Sequence, residues 1–586
     1  MRSLKHVTLF VLFLVVGFAI SSCSDLSVQD LNQPSRKDVL SSADNLVSLL
    51  QGQTTNQFME EFSLSGIHYD GWADQMTTTN NYDGFWDPAK EPRIRLDNST
   101  SYTAKFVIEQ DWDESNSSVS IANQIIDRIE NEGGKVVLND GTDVTQKMLA
   151  AAYFLRGIAR GSLGMTYDQA YLVGPKDNPS TVPDFVPYTK LINGAVSDMD
   201  KAIDIANGVG SDFKWDFLPD AVNADLNLAQ FKTVANSYSA RFLACAPRNA
   251  SEAASWDWDR VLKYAKKGVG GDNAAATMTN WTGSSIANTF WMNYMDWETT
   301  VYPPPAGYIP TDIKVIHMLD SSYPVEYPST TAPDGTVVPD TLHKSDVNTN
   351  DPRIKYFYYS NSFGYLDPSR SIPLFSNYWN YRLYTQNTGY ATSGYPVIFF
   401  VDAELDYIRA EAYLMNGNKV MAAQELNNSP YGSGQVHVSP HMPAVQLGNL
   451  SQDGFSGGNN ISATASDAQF IQALHREYSV ELALIDRKGL QWFFMRRHNL
   501  LQKGTPIELP VPASELEITQ RETYTFGGAD HAGETGTADG SNSWKKNAPK
   551  MLINSSSQGK YHANSSSLEK LGLNSVIGSG KKIKRQ

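Results

Sequence analysis

Two stretches of the sequence combine flat aromatic side chains with carboxylates and amides. A sugar is recognised by an aromatic ring that stacks on its C–H face and by planar polar groups that hydrogen-bond its hydroxyls. Both stretches carry these groups, so they are candidate carbohydrate-binding segments. The candidate contact residues are Asp70, Trp72, Asn81, Tyr82 and Trp86 in the first stretch, and Trp291, Asn293, Tyr294, Asp296 and Trp297 in the second.

An aromatic residue in such a stretch can also fill a gap between helices, and for any single ring that is the commoner role. The clustering of rings with polar groups favours a binding role for the stretches as wholes. Trp291 or Trp297, with Trp72 as a second candidate, is the predicted stacking platform, because tryptophan has the largest flat side chain. A loop tryptophan that no ligand covers exposes apolar surface to water.

The same residues leave a catalytic alternative open. Asp296 and Glu298 could serve a glycoside hydrolase, but carboxylates also accept hydrogen bonds from sugar hydroxyls, and their spacing does not decide between the two. The sequence contains neither a His-Glu-x-x-His zinc motif nor a Gly-x-Ser-x-Gly nucleophile motif. His437 and His441 are four residues apart, but Pro440 argues against a helix that would join them at a metal. No metal and no other cofactor is predicted.

Composition excludes several classes of protein. Hydrophobic residues make up 41% and charged residues 19% of the 586 residues, which is typical of a globular chain with a large core. The formal net charge of −15 argues against nucleic acid as a partner. Cys23 and Cys245 are the two cysteines, so a disulfide scaffold and a multi-cysteine metal site are both excluded.

The first residues are typical of an export signal with a lipid anchor. Basic residues precede an apolar run from Val7 to Ile20, which is shorter than a membrane span. The sequence Ile20-Ser21-Ser22-Cys23 resembles a bacterial lipobox, which predicts a signal peptide over residues 1–22 and acylation of Cys23. Several acyl chains at about 0.8 kcal/mol per CH₂ would anchor the protein firmly. We expect a lipidated N-terminus and linker over residues 23–36, followed by a soluble body.

The elements that carry these residues are predicted to be mainly helical. Hydrophobic periodicity predicts helices over Lys37–Glu61, Val119–Ile129, Met148–Leu163, Tyr188–Ile205, Leu226–Ala246, Trp256–Lys267, Phe399–Met415, Lys419–Leu426 and Ser466–Arg487. Ser466 and Gln469 form a capping box at the start of the last helix, and Gly489 is its predicted stop. The pair of helices around Gly417-Asn418 resembles a tetratricopeptide unit.

The remaining segments are predicted to be irregular. They are residues 66–93, a loop-rich insert over about 268–396, and a Gly/Ser/Asn-rich C-terminal extension over 521–586 that is expected to pack loosely or to extend. The predicted fold class is mostly α: irregular tetratricopeptide-like helical pairs with long aromatic-rich loops, in a single compact body over 37–520.

Two glutamates in the last predicted helix have two interpretations. Glu477 and Glu481 lie one turn apart. They could act as an acid/base pair, or they could form ion pairs with arginines between helices. Charged groups that are buried between helices must be paired, so ion pairing with arginine is the favoured interpretation.

Four stretches together resemble the SusD/RagB family, the nutrient-binding surface lipoproteins of Bacteroidetes. They are the lipobox followed by Leu31-Asn32-Gln33-Pro34, residues Ala151–Gly157 running to Leu163–Tyr167, residues Ala403–Leu414, and the positions Glu477, Glu481–Ala483, Arg496–Arg497, Leu509–Pro512 and Glu515-Leu516. Each match is weak alone, but their order covers nearly the whole chain after Cys23. The resemblance implies a helical body and a ligand surface built from loops in the two aromatic regions.

The resemblance also implies a function. A member of this family binds an oligosaccharide or polysaccharide at the cell surface and passes it to a SusC-like TonB-dependent transporter without catalysis. It is anchored by lipid in the outer membrane and faces the extracellular side. Two alternatives stay open: a surface glycoside hydrolase, and a helical-repeat lipoprotein that binds a peptide or protein.

Overall fold

Helices dominate the part of the chain that the structure describes. The computed structural model describes residues 42–61, 65–77, 84–178, 181–215, 226–272, 280–282, 309–327, 347, 349, 351–359, 376–380, 398–428, 461–483 and 489–547. The α-helices are α1 Ala43–Glu60, α2 Ser65–Trp72, α3 Trp86–Ala89, α4 Phe106–Ile126, α5 Thr145–Thr166, α6 Tyr188–Val209, α7 Leu228–Cys245, α8 Ala250–Ala254, α9 Trp258–Ala265, α10 Ile313–Leu319, α11 Asp402–Met415, α12 Lys419–Asn428, α13 Asp467–Val480, α14 Leu490–Arg497, α15 Ala513–Ile518 and α16 Trp544–Asn547. The predicted mostly α fold is confirmed.

The described strands are short, and they pair with one another in an antiparallel orientation. The strands are β1 Gln169–Tyr171, β2 Phe185–Pro187, β3 Lys214–Trp215, β4 Leu226–Asn227, β5 Asn280–Thr282, β6 Phe357–Tyr359, β7 Tyr378–Asn380 and β8 Ile398–Val401. In the described ranges they form four two-stranded sheets, β1–β2, β3–β4, β5–β8 and β6–β7. A two-stranded sheet cannot hold a fold together by itself, so the helices provide the core.

The predicted helical hairpin near residue 417 is present. Gly417 has φ +76°, which lets the chain leave α11 and enter α12 at once. The residues before it differ from prediction, because Phe399 and Phe400 belong to β8 rather than to the helix. Both rings are fully buried, as expected for a short apolar strand that pairs with another part of the chain.

The predicted helix that begins after Ser466 is also present but shorter. Ser466 and Gln469 form the predicted capping box, and α13 ends at Val480. Gly489 has φ +81° and precedes α14, so it begins the next helix instead of ending this one. Leu474 and Tyr478 lie on the buried face, as the spacing predicted.

Glycine controls how closely the central helices approach. α5 packs against α4, α6 and α7. A Cβ atom on Gly161 would lie 2.3 Å from the ring of Phe242 on α7, and one on Gly157 would lie 3.0 Å from Met199 on α6. Side chains at these two positions would force the helices apart, so the small residues of α5 are a packing requirement.

Buried ion pairs join helices that are far apart in the sequence. Arg353 pairs with Glu477 at 2.9 Å and with Glu481 at 3.4 Å. Arg497 pairs with Glu411 at 2.6 Å. All five side chains are buried, and the interpretation of Glu477 and Glu481 as arginine partners is confirmed. Such pairs contribute mainly by leaving no buried charge uncompensated.

The described part of the C-terminal extension packs tightly against the body, so the expected loose packing is wrong there. Its main chain hydrogen-bonds the segment after α14, for example from Ala538 N to Thr505 O at 2.8 Å. Trp544 is fully buried in the main core. The Lys545 ammonium donates to Glu91 and to Glu326 at 2.8 Å each. The buried Trp544 side chain and the hydrogen bonds of Lys545 thus hold in place a segment whose composition is typical of a loop.

Residues 1–41, which include the predicted signal peptide and Cys23, lie outside the described residues. Cys245 is buried as a free thiol. Within the described ranges, no helix has the length and apolar character needed to cross a membrane.

Candidate functional site

The first predicted ligand stretch is more helical and more deeply buried than expected. Trp72 ends α2 and is 4% exposed, with its ring centroid 6.0 Å from Tyr69 and 5.6 Å from Trp492. Trp86 begins α3 and is 9% exposed. The expected exposed loop position is therefore wrong for both tryptophans, because their rings pack into the interior instead of remaining in water.

The other predicted contacts divide into one described residue and seven that are not described. Asp70 lies on α2 and is 3% exposed. Asn81, Tyr82, Trp291, Asn293, Tyr294, Asp296 and Trp297 lie outside the described residues, as do Glu298, His437 and His441. The binding role of these residues stays a prediction.

The flanks of the two predicted stretches are hydrogen-bonded to each other. Thr77 N donates to Pro310 O at 2.8 Å, and Asp312 N donates to Gln75 O at 3.1 Å. These four residues form a short antiparallel contact between parts of the chain more than 200 residues apart in sequence. The main chain at the base of each stretch is thus fixed relative to the other.

This contact lies at one end of each segment that is not described. Thr77 is the last described residue before 78–83, and Ile309 is the first described residue after 283–308. The two segments contain seven of the predicted contacts, and each segment adjoins the hydrogen-bonded contact at one of its ends. Spacing in the sequence gave no indication of this proximity.

A third part of the chain joins the same contact. Thr311 N donates to Tyr378 O at 2.8 Å, which attaches β7 to the flank of the second stretch. β7 also pairs with β6 through Tyr358 and Trp379. Asn380, at the end of β7, is buried at this junction.

A small cleft opens where these segments meet. It has room for about one water-sized group, 20 Å³, and is partly open to solvent. The described residues that line it are Gln75, Met76, Ile309, Thr311, Phe357, Asn380 and Ala483. None of them was predicted as a site residue, and the one signal available was that Gln75, Met76, Ile309 and Thr311 lie within or close to the aromatic stretches.

A charged cluster surrounds Asp74, which precedes the cleft residue Gln75 in the chain, and keeps Asp74 ionised. Burial disfavours the charge of Asp74, but the nearby Arg93, Lys545 and Lys314 outweigh burial and lower its pKa. Arg93 forms an ion pair with Asp74. The Trp544 indole donates to the same carboxylate at 2.6 Å. A carboxylate with these partners has a structural role.

Lys314 lies in the same cluster beside two further carboxyl groups. Burial lowers the pKa of Lys314 to about 8. Burial raises the pKa of Asp70 to about 7, although the charge of Lys314 opposes the rise. Burial and the negative charge of Asp74 raise the pKa of Asp312 to about 7. The Lys314 ammonium donates to Ala73 O, so it stabilises the turn that follows α2.

The side chains that line the cleft are polar or apolar but not ionisable. Among the residues that the structure describes, no group of three or more His, Cys, Asp or Glu side chains is placed to hold a metal ion. The cleft is lined by amide, hydroxyl, aromatic and aliphatic groups, and its amide and hydroxyl groups can donate and accept hydrogen bonds.

Comparison of the chain with known proteins gives matches among solved structures. No family model matches the sequence, and no curated protein matches it. A SusD superfamily protein from Parabacteroides distasonis is 11% identical, with a TM-score of 0.52 over 82% of this chain and 98% of that one. A SusD homolog from the same species is 14% identical, with a TM-score of 0.51 over 82% and 93%.

A third similar structure is described by its cellular location and suggested role. It is a Bacteroides vulgatus protein assigned to the outer membrane with a suggested role in nutrient binding, 13% identical, with a TM-score of 0.50 over 81% of this chain and 94% of that one. Identities this low show the fold alone. The structural similarity extends over nearly the whole length of these structures, so the chain has a SusD-like fold.

Proposed function

We propose that the protein is a non-catalytic, lipid-anchored lipoprotein of the cell surface that binds a glycan and delivers it to a SusC-like TonB-dependent transporter. One observation supports the proposal: in a chain with a SusD-like fold, the described flanks of the two candidate segments are hydrogen-bonded to each other. A similar structure has a suggested role in nutrient binding at the outer membrane, which agrees with this assignment.

The proposed binding surface consists of an aromatic stacking platform and neighbouring polar contacts. Trp291 or Trp297 is the proposed stacking platform, and Asn293, Tyr294 and Asp296 are the neighbouring polar contacts. Asn81 and Tyr82 are the proposed contacts from the first stretch. Stacking with a few hydrogen bonds gives affinities on the order of 10⁻³ to 10⁻⁵ M, which suits a ligand that must be passed on.

Asp70, Trp72 and Trp86 have a different place in this proposal. They are buried, so their contribution is to support the base of the first segment. Trp72 contacts Trp492, and Asp70 lies in the charged cluster with Lys314. Replacement of these residues is expected to affect stability before it affects ligand affinity.

The test is a titration of the full chain, purified in detergent, with maltohexaose, cellohexaose, xylohexaose, mannohexaose and arabinohexaose. Each mixture is also analysed for shorter products after overnight incubation. Binding of at least one oligosaccharide without product release supports the proposal. Product release would identify a glycoside hydrolase, and binding of a peptide library in place of any sugar would identify a peptide-binding lipoprotein.

Delivery to a transporter has its own test. Gentle detergent extraction followed by purification through a tag on this chain should recover a large outer-membrane β-barrel protein in about equal amount. Recovery of the chain alone, from cells that grow on the glycan it binds, would contradict the transporter partnership while leaving glycan binding intact.

A further inference from the structure

Gln75 is held rigidly at the base of both candidate segments. Its main-chain N–H donates to Asp70 O at 2.8 Å, and its carbonyl accepts from Asp312 N at 3.1 Å. Both main-chain groups are therefore used, one toward each side of the junction. The side chain is 6% exposed, so its position is set by the surrounding packing.

The orientation of the Gln75 amide is fixed by its partner. The Nε2 group donates to Ser479 O near the end of α13, and only the amide NH₂ can make that hydrogen bond. The Oε1 atom therefore occupies the other side of the amide. It is buried and has no hydrogen-bond partner among the described residues.

A buried carbonyl oxygen without a donor is unfavourable, and native proteins leave few of them. Gln75 lines the cleft described above, together with Thr311 and Phe357. The cleft has room for about one water-sized group and is partly open to solvent. An occupant that satisfies the Gln75 oxygen must be a hydrogen-bond donor of about that size.

We infer that Gln75 Oε1 is a fixed acceptor for one hydroxyl group of the bound glycan. The inference rests on the proposed function and adds a contact residue and a ligand property to it: one sugar hydroxyl or hydroxymethyl group enters the cleft and donates to this oxygen. A carboxylate in the same place has no proton to donate. The subsite therefore accepts a sugar hydroxyl and disfavours a sugar carboxylate placed in the cleft.

The test compares two buried glutamines that make the same kind of bond. Gln75 Nε2 donates to Ser479 O, and Gln491 Nε2 donates to Tyr478 O, the next carbonyl on the same helix. Gln75→Met and Gln491→Met both remove a hydrogen bond to the end of α13 and keep side-chain length. Only Gln75 lines the cleft. Both variants and the parent are titrated with the hexasaccharide that the parent binds, and their melting temperatures are measured.

We expect Gln75→Met to weaken binding by roughly two- to tenfold, the value of one hydrogen bond, and Gln491→Met to leave the Kd unchanged. Equal binding by the parent and Gln75→Met would overturn the inference and leave the proposed function standing. Equal weakening by both variants would also overturn it, since the loss would then reflect the end of α13. If none of the five hexasaccharides binds the parent, the inference falls together with the proposed function.

A crystal structure of the parent with the bound hexasaccharide tests the same point if Gln75→Met does not fold. A sugar hydroxyl oxygen within about 3.2 Å of Gln75 Oε1 supports the inference. A water molecule at that oxygen, with the sugar bound elsewhere, overturns it.

Discussion

Replacement of Trp544 by Phe measures how firmly the C-terminal segment is attached to the body. The indole is fully buried, and its N–H donates to the Asp74 carboxylate at 2.6 Å. Asp74 is ionised, because its cationic neighbours lower its pKa despite burial. A hydrogen bond to a charged group contributes about 1.5–3 kcal/mol. Trp544→Phe should therefore lower the free energy of unfolding by at least that amount, with an added loss from the smaller ring.

Trp215 provides the matched control for the size of the ring. It is 2% exposed, and its indole N–H has no hydrogen-bond partner among the described residues. Trp215→Phe removes the same atoms without breaking a hydrogen bond, so the difference between the two variants isolates the bond to Asp74. Urea unfolding followed by far-ultraviolet circular dichroism gives both free energies. Equal losses would refute the contribution of this bond, and a Trp544→Phe variant as stable as the parent would refute the packing of the segment.

Three further predictions concern other parts of the chain. Glu411→Gln leaves the buried Arg497 without its charge partner and should cost about 3–5 kcal/mol of unfolding free energy in urea titrations at pH 7. The pKa of Glu411 is about 2 in the folded protein, because the charge of Arg497 outweighs the effect of burial. This pKa lies below the ordinary value of 4.5, so the parent should keep the stabilisation above pH 4.5 and lose it as the pH falls toward 2. Glu411→Gln should not show that loss. Cys23→Ala should release the protein from the membrane fraction, and a variant that stays bound after a carbonate wash contradicts the lipid anchor. Trp291→Ala or Trp297→Ala should cost about 1–3 kcal/mol of glycan binding, by analogy with base–aromatic stacking, without a change in melting temperature; loss of stability with unchanged affinity would make both of them packing residues.

The helical framework could be predicted because its signals are local. The capping box at Ser466 and Gln469, and the αL glycine at Gly417, each depend on a few neighbouring residues. The pairing of Glu477 and Glu481 with arginine followed from the cost of a buried charge alone. The partner Arg353 could not be identified, because no spacing relates it to α13.

The burial of Trp72 could not be predicted from its neighbours. α2 has eight residues, which is too short for a clear helical period, and Asn- and Asp-rich sequence follows it. The ring packs on Trp492, more than 400 residues away. Burial by a distant partner also explains Trp544, whose segment has the composition of a loop. The cleft residue Gln75 was missed for a related reason, since a single polar residue has no periodicity.

The bond between Asp74 and Trp544 joins residues 470 positions apart, and this separation bears on the order of folding. Contacts of such long range form late and slowly in folding. Until residues 544 and 545 pack against the body, the Asp74 carboxylate lacks its indole donor, and Lys545 cannot bridge Glu91 and Glu326. The contact between the flanks of the two candidate segments is therefore expected to acquire its last supports late in folding, and a chain that stops before residue 544 is expected to lack them.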